Sequence, residues 1–430
     1  MLELIDGRDQ HAPVHIARPR PPLSASRPED VVREIVDDVR LRGDDAVMEY
    51  TRRFDRANLD RLRVEESSIR NARGLVRPEL VDALEVMAER LRRTCERQVP
   101  QTWIEHTDDE VTGELIRPLR RVGIYVPGGR LPYPSTVVMT VVPAQVAGVE
   151  DIAICSPPEP SGEIAEVVLA ACDLLGIREV YRMGGAQAIA ALSFGTETVP
   201  PVDKIVGPGN VYVTLAKRLV SGWVGTDSEA GPTEIAVVAD DTVPPRVLAS
   251  DLIAQAEHGP LGTHALITWM PEVAQAVMDE LETIVMRHER PDDVENALIE
   301  GGRAVVVRDL DHALATANAL APEHLELVFT GALDALDRVR NAGAVFVGAY
   351  SPVAAGDYVA GTNHVLPSGG TARWASGLGV FDFLKRIYVS GLEPSALERL
   401  APHIDALAEA EQLRAHGRSA RMRLAPGDML

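Results

Sequence analysis

Arg121-Val-Gly-Ile-Tyr-Val-Pro-Gly-Gly129 is the stretch from which the fold reads. An apolar run, 122–126, stops at Pro127-Gly-Gly129, which is the pattern of a short buried strand entering a turn. A buried helix follows at 135–147. The alternation repeats with strands at 151–155 and 180–183, helices at 162–175 and 186–192, and Ile205-Val206 ending in Gly207-Pro-Gly-Asn210 before another helix. Strands that are apolar on both faces and separated by helices predict a parallel sheet covered on each side. A second alternation starts near Glu234, with strands at 235–238, 265–267, 304–307, 325–329 and 344–347. Helices fall between them, near 246–257, 272–287, 311–319 and 332–340. Helical periodicity also runs through 28–54, broken at Gly43, and through 78–97.

The expected fold is therefore α/β, with two parallel-sheet, Rossmann-like units that lack the usual Gly fingerprint. None of the turns Gly128-Gly129, Gly184-Gly185 and Gly207-Pro-Gly209 is G-x-G-x-x-G, and there is no P-loop. The expected division is an arm at 1–24, a first α/β domain of 25–120 with 236–375, a second of 121–235, and a helical tail at 376–430. In that tail Pro402 marks a helix start and Gly417 follows its end.

The 430 residues are 46% apolar, 25% charged and 4% aromatic, with net charge −21. That balance argues against a nucleic-acid backbone or an anionic membrane as main partner and favours a small ligand. Cys95, Cys155 and Cys172 are odd in number and widely spaced, which suggests a reducing compartment without a disulfide framework. No signal peptide is visible, and the expected location is the cytoplasm. Cys155 ends an apolar strand; a buried, inert thiol is the plain reading and an aldehyde-capturing nucleophile the sharper one.

Three stretches are dense in groups that hold metal or move protons. Asp251-Leu-Ile-Ala-Gln-Ala-Glu-His258 reads as the last two turns of a helix entered from Pro245 and stopped by Gly259-Pro260. Gln255 and His258 stand about 60° apart around its axis, on one face. Glu323-His324 precedes an apolar strand, either as an exposed loop pair or as an acid–base pair. Gly356 to Pro367 embeds Asp357 and His364 in a Gly-rich loop that either turns or binds. Glu411 and His416 are about 140° apart on a helix, so His416 reads as a cation in the last turn ahead of Gly417.

Taken together the chain resembles the histidinol dehydrogenase family. The resemblance runs through Tyr125-Val-Pro-Gly-Gly129, Gly184-Gly-Ala-Gln-Ala-Ile189, Val206-Gly-Pro-Gly-Asn210, Ala230-Gly-Pro-Thr-Glu234, Gln255-Ala-Glu-His258 and Pro322-Glu-His-Leu325. It continues through Gly356-Asp-Tyr, Asn363-His-Val-Leu-Pro367, Phe381-Asp-Phe-Leu-Lys-Arg386 and Ala410-Glu-Gln-Leu-Arg-Ala-His416. It implies a zinc-dependent, NAD-linked oxidation of L-histidinol to L-histidine. The zinc ligands it implies are Gln255, His258, Asp357 and His416, and the acid–base pair Glu323 and His324. Implied substrate contacts include Thr233, His364 and Glu411 beside the ligands and His324; implied NAD contacts include Tyr125, Gln187 and Asn210. It also implies a homodimer in which one subunit's tail completes the other's site. Thr233 stands where many members have Ser, and Arg130-Leu-Pro-Tyr133 is bulkier than the small residues often found there. Relatives that oxidise other alcohols, such as sulfopropanediol, keep much of the zinc site and form the alternative.

Overall fold

The computed structural model describes residues 1–19, 28–128, 131–228 and 231–425. Residues 20–24 of the expected arm, Gly129 and Arg130, Ala230, and 426–430 of the tail lie outside the described residues. The chain divides into two units, Met1–Gln98 with Leu119–Phe383, and Val99–Pro118 with Leu384–Leu430.

In chain order, β1 (Glu3–Asp6) precedes four helices, α1 (Pro28–Arg42), α2 (Asp44–Phe54), α3 (Glu66–Asn71) and α4 (Pro78–Gln98). Next are β2 (Trp103–His106), β3 (Glu110–Pro118), β4 (Arg121–Tyr125) and α5 (Pro134–Ala147). Then come β5 (Asp151–Ser156), α6 (Glu166–Leu174), β6 (Val180–Arg182), α7 (Gly185–Phe194), β7 (Lys204–Val206), α8 (Val211–Val220) and β8 (Gly225–Thr226). The following run is β9 (Glu234–Ala239), α9 (Pro245–Ala256), β10 (Thr263–Thr268), α10 (Pro271–Val285), α11 (Pro291–Gly301) and β11 (Gly302–Val306). After it come α12 (Leu310–Leu320), β12 (His324–Val328), β13 (Ala344–Val347) and α13 (Val353–Tyr358). Last are β14 (Leu384–Leu392), α14 (Pro394–Ala410) and α15 (Arg414–Leu424).

The first unit holds two all-parallel sheets, ordered β6-β5-β4-β7-β8 and β1-β11-β10-β9-β12-β13. In each, the chain winds outward from a central strand, β4 or β9, and then crosses to that strand's other side. β9, β10 and β12 are buried at every residue, which is why their sequences are apolar without alternation. One core lies on each face of the six-stranded sheet.

Two expectations about the amino-terminal part are corrected. Residues 3–6 are not a free arm: β1 adds an edge strand to β11. The helices expected to join 236–375 pack on the other sheet. Val32, Ile35, Val36 and Val39 of α1 are spaced as one helical stripe and share a core with Tyr125, Ala153, Tyr181 and Ile189. Each such buried side chain contributes roughly 2 kcal/mol. Acidic Glu29 and Asp30 begin α1, basic Arg40 and Arg42 end it, and Gly43, at φ +57, follows. α4 packs against α5, the helix that follows β4.

The second unit contains an antiparallel sheet, β14-β3-β2, that the α/β reading did not anticipate. α14 and α15 pack together beside each other in sequence. Here the tail reading is corrected twice. Pro402 lies inside α14, and Gly417 lies inside α15 rather than beyond a helix end. A Cβ at Gly417 would stand 2.1 Å from Asp405 Oδ1, so this glycine serves the close approach of the two helices. Residues 376–383 belong to the first unit, so the tail proper starts at Leu384. Among the described residues, no helix is long and apolar enough to cross a membrane.

Candidate active site

The amino-terminal edge of the six-stranded sheet gathers most of the expected residues. β9 and β12 are neighbours, with His324 beside Ile235. Thr233-Glu234 and Glu323-His324 are therefore brought together although some ninety residues separate them in the chain. α9 follows β9 and runs back, delivering Gln255 to the same edge, where Thr233 Oγ1 donates to Gln255 Oε1 at 2.8 Å. α9 ends at Ala256, so His258 lies just past the helix rather than in its last turn. α13 follows β13 and returns likewise, setting Asp357 Oδ1 3.8 Å from His324 Nε2.

Glu234 holds the acid–base pair through its backbone. Its N–H donates to Glu323 Oε2 at 3.0 Å, and its carbonyl accepts from His324 Nδ1 at 2.9 Å. A carbonyl can only accept, so Nδ1 carries the hydrogen and Nε2 is left with its lone pair. His324 is 4% exposed and the Glu323 side chain 13% exposed, which removes the reading of an exposed loop pair. Burial pushes Glu323 up to about 8 and His324 down to about 4. Thr233 also hydrogen-bonds Glu323. One hydroxyl hydrogen cannot serve two acceptors, so a protonated Glu323 donating to Thr233, and Thr233 to Gln255, satisfies all three groups.

His364 donates Nδ1–H to the Asp357 carbonyl at 2.9 Å, leaving its Nε2 bare, and burial lowers its pKa to about 4. Burial alone raises Asp357 to about 6. His258 is exposed by its surface, yet desolvation by the protein around its ring still lowers its pKa. Among the described residues no three His, Cys, Asp or Glu side chains form a ready metal cluster. The first unit brings Gln255, His258 and Asp357 to one edge, while Glu411 and His416 lie in the second unit. Glu411 caps the end of α14, and His416 is in the first turn of α15, not the last turn of a helix.

The carboxyl-terminal edge of the five-stranded sheet holds the other expected group. Tyr125 ends β4, and its hydroxyl accepts from Gly185 N at 3.2 Å, beside buried Gln187. Among the described residues Gln187 Oε1 has no hydrogen-bond partner. Asn210 is exposed, and its Oδ1 accepts from the N–H groups of Tyr212 and Val213, capping α8. Gly207 is clamped between them: its N–H donates to Asp227 Oδ2 at 2.7 Å, its carbonyl accepts from Lys217, and Lys217 pairs with Asp227 at 2.6 Å. At φ +114, a Cβ there would stand 2.1 Å from the Tyr125 carbonyl. Cys155 is fully buried and its thiol is pushed far up by burial, which makes it inert.

Sequence reasoning passed over several residues here. Arg18, in the expected arm, pairs with the Glu234 carboxylate, itself 3% exposed, and with the Leu320 carbonyl. Tyr358, next to Asp357, lies within electrostatic reach of Tyr133 and Glu257. Only a charged residue at a buried strand position, as at Glu234 and Glu326, signals such groups in the sequence.

Residues 18–424 match the family model described as histidinol dehydrogenase. A histidinol dehydrogenase of Geobacter sulfurreducens is 47% identical over 400 residues, covering 92% of this chain and 93% of its own. One of a Synechococcus species is 47% identical over 395 residues, covering 91% of each. A crystal structure of histidinol dehydrogenase from Elizabethkingia anophelis superposes with a TM-score of 0.90 at 37% identity, covering 96% of this chain and 95% of that one.

Proposed function

Since the chain belongs to the histidinol dehydrogenase family, we propose that it oxidises L-histidinol to L-histidine through L-histidinaldehyde, the last steps of histidine biosynthesis. In this reading NAD is the oxidant, zinc supports the site, and the protein is a cytoplasmic homodimer. The strand order, wound both ways from β4 and from β9, supports treating both sheets as Rossmann-like.

The observation that carries the mechanism is the Glu323–His324 pair held on one residue's backbone. The donors at the sheet edge fit zinc. Imidazole and carboxylate are usual ligands and a glutamine oxygen is an unusual one. The Asp357 carboxyl has a burial cost that a cation beside it would offset. The carboxyl end of α9 carries partial negative charge. Gln255, His258 and Asp357 would hold the ion, with His416 of the tail as the fourth ligand. Zinc, when bound, supplies a Lewis-acid anchor for the substrate's nitrogens. NAD, when bound, accepts hydride, and Tyr125, Gln187 and Asn210 would hold it.

The chain's own groups do the rest. Thr233, His364 and Glu411 orient the substrate. His324 Nε2 takes the alcohol proton as the first hydride leaves. Glu323, once ionised, takes a proton from the water that adds to the aldehyde carbon, while protonated His324 returns its proton to the aldehyde oxygen, which gives the gem-diol and a neutral imidazole. His324 takes the hydroxyl proton of the resulting gem-diol as the second hydride leaves.

The test is product stoichiometry with zinc-loaded protein, L-histidinol and excess NAD. Two NADH per histidine, abolished by a chelator and restored by zinc, is the expected result. Folded, zinc-loaded protein that forms no NADH with histidinol would overturn the substrate assignment and turn attention to other small amino alcohols and diols.

A further inference from the structure

Asp251 and Glu326 lie behind the candidate site and take no part in the chemistry above. Glu326 follows His324 by two residues on β12, so both side chains leave the same face of the sheet. It is 1% exposed. Its Oε1 accepts the N–H of Val353 at 3.0 Å, in the first turn of α13. Its Oε2 is buried, and among the described residues it receives no N–H or hydroxyl donor. The Glu326 side chain is hydrogen-bonded to the carboxyl of Asp251, on α9. Two carboxylates cannot hydrogen-bond to one another, but a carboxylic acid and a carboxylate can. Burial and the Asp251 charge both oppose ionisation of Glu326, so the shared proton resides there.

The pair bridges α9, β12 and α13, which carry Gln255, His324 and Asp357. Asp251 is one helical turn before Gln255 on α9, and Val353 is one turn before Asp357 on α13. Glu326 is two residues beyond His324 on β12. Stability alone does not account for such a pair, because an apolar pair of similar volume is often as stable.

We propose that the Asp251–Glu326 carboxyl pair is a positioning device that sets the spacing of Gln255 and His258 against Asp357 for a divalent cation. The inference rests on the reading of those three residues as cation donors. The pair cross-links α9 to α13 through one strand, so the two helix ends cannot drift independently. Groups that orient ligands in this way typically change metal affinity about 10–100-fold when removed.

The test uses the full-length protein loaded with Co2+, the visible band of the bound ion, and its release to excess dipicolinate. The unsubstituted protein and His258→Ala come first. If the former binds no cobalt, or the latter holds it equally well, the donor reading fails and the inference falls with it. With that reading standing, Glu326→Leu is expected to release cobalt at least about 10-fold faster, with a shifted band. The metal-free melting temperature of that variant should fall, because Asp251 and the Val353 N–H lose their partner, so the release rate and the band, not stability, decide the matter. Glu326→Gln can still accept from Val353 and donate to Asp251, and should restore the original release rate. Asp251→Ala severs the α9 arm alone and should also speed release; it decides the matter if Glu326→Leu does not fold. An unchanged release rate and band in Glu326→Leu or Asp251→Ala, or release from Glu326→Gln as fast as from Glu326→Leu, would overturn the proposal.

Discussion

His324 gives its Nδ1–H to the carbonyl of Glu234 at 2.9 Å, and that bond decides which nitrogen is free to act as a base. Nε2 faces the Asp357 side, and burial keeps the ring neutral well into acid. A neutral, oriented imidazole is what both oxidations require. His324→Ala should therefore slow both by about 10²–10⁴-fold, with zinc content unchanged. Single-turnover assays with histidinol and with histidinaldehyde would measure each step. Loss of only one would assign the other to a different base.

Glu323 serves one step only. Glu323→Gln should keep the first oxidation and impair the second, so that histidinaldehyde accumulates where the unsubstituted protein makes histidine. Because burial raises the carboxyl to about 8, the base form grows as pH rises toward that value. The histidinaldehyde half-reaction should rise over that range, while the histidinol half-reaction, served by an already neutral His324, stays level. Glu323→Gln turning over histidinol to histidine at the original rate would end the water-activation role.

The same carboxyl makes a stability prediction for the metal-free protein. Its folded pKa, about 8, lies above the ordinary 4.5. The folded state thus keeps a proton that the unfolded state releases between these values. The contribution is fully present below 4.5 and is lost as pH rises through about 8. Glu323→Gln cannot titrate, so its urea midpoint should fall less between pH 5 and pH 8. The difference is on the order of a few kcal/mol. A steeper fall in the variant would contradict the burial argument.

Arg18 is the residue whose role was hidden by the look of its surroundings. It pairs with the buried Glu234 carboxylate, and Glu234 carries the acid–base pair on its backbone. Arg18→Met leaves that carboxylate without its cation, at a cost of about 3 kcal/mol. It should also disturb the Glu234 backbone, lowering kcat more than it raises KM. Denaturant unfolding and steady-state kinetics would read the two effects, and an unchanged urea midpoint would show that the pair contributes nothing.

What could be read in advance follows from where each signal is written. Strands β4, β9, β10 and β12 are buried on both faces, so their apolar runs announce a parallel sheet by composition alone. β1 is a mostly exposed edge strand of four residues, with no such run. β3 pairs with β14, about 270 residues onward, and neither has a fully buried face to reveal it. The helices α1 and α2 show a clear apolar stripe, but a stripe does not name its partner sheet. The meeting of Thr233 with Glu323 depends on β9 and β12 being neighbours, and strand order has no local signature. Motif resemblance, not periodicity, brought those residues together beforehand. His416 was misread because Gly417 suggested a helix end, whereas Gly417 is needed where α15 meets Asp405 of α14.

The proposed sharing of tails between subunits can be tested by mixing two inactive proteins. His258→Ala damages the sheet-edge site, and His416→Ala damages the tail. If each site takes its tail from the partner, a mixed dimer has one site with both histidines and one site with neither. Random exchange makes half of the dimers mixed, each with half its sites intact, so roughly a quarter of the original activity should return. Activity should appear only after subunit exchange, for example on dilution from mild denaturant, and should be absent from either protein exchanged with itself. If tail and sheet edge belong to the same chain, no mixture has an intact site. Activity then stays at the background of the single variants. Exchange itself must be shown, by mass spectrometry of differently tagged chains, so that silence means tails acting within their own chain rather than dimers that never traded partners.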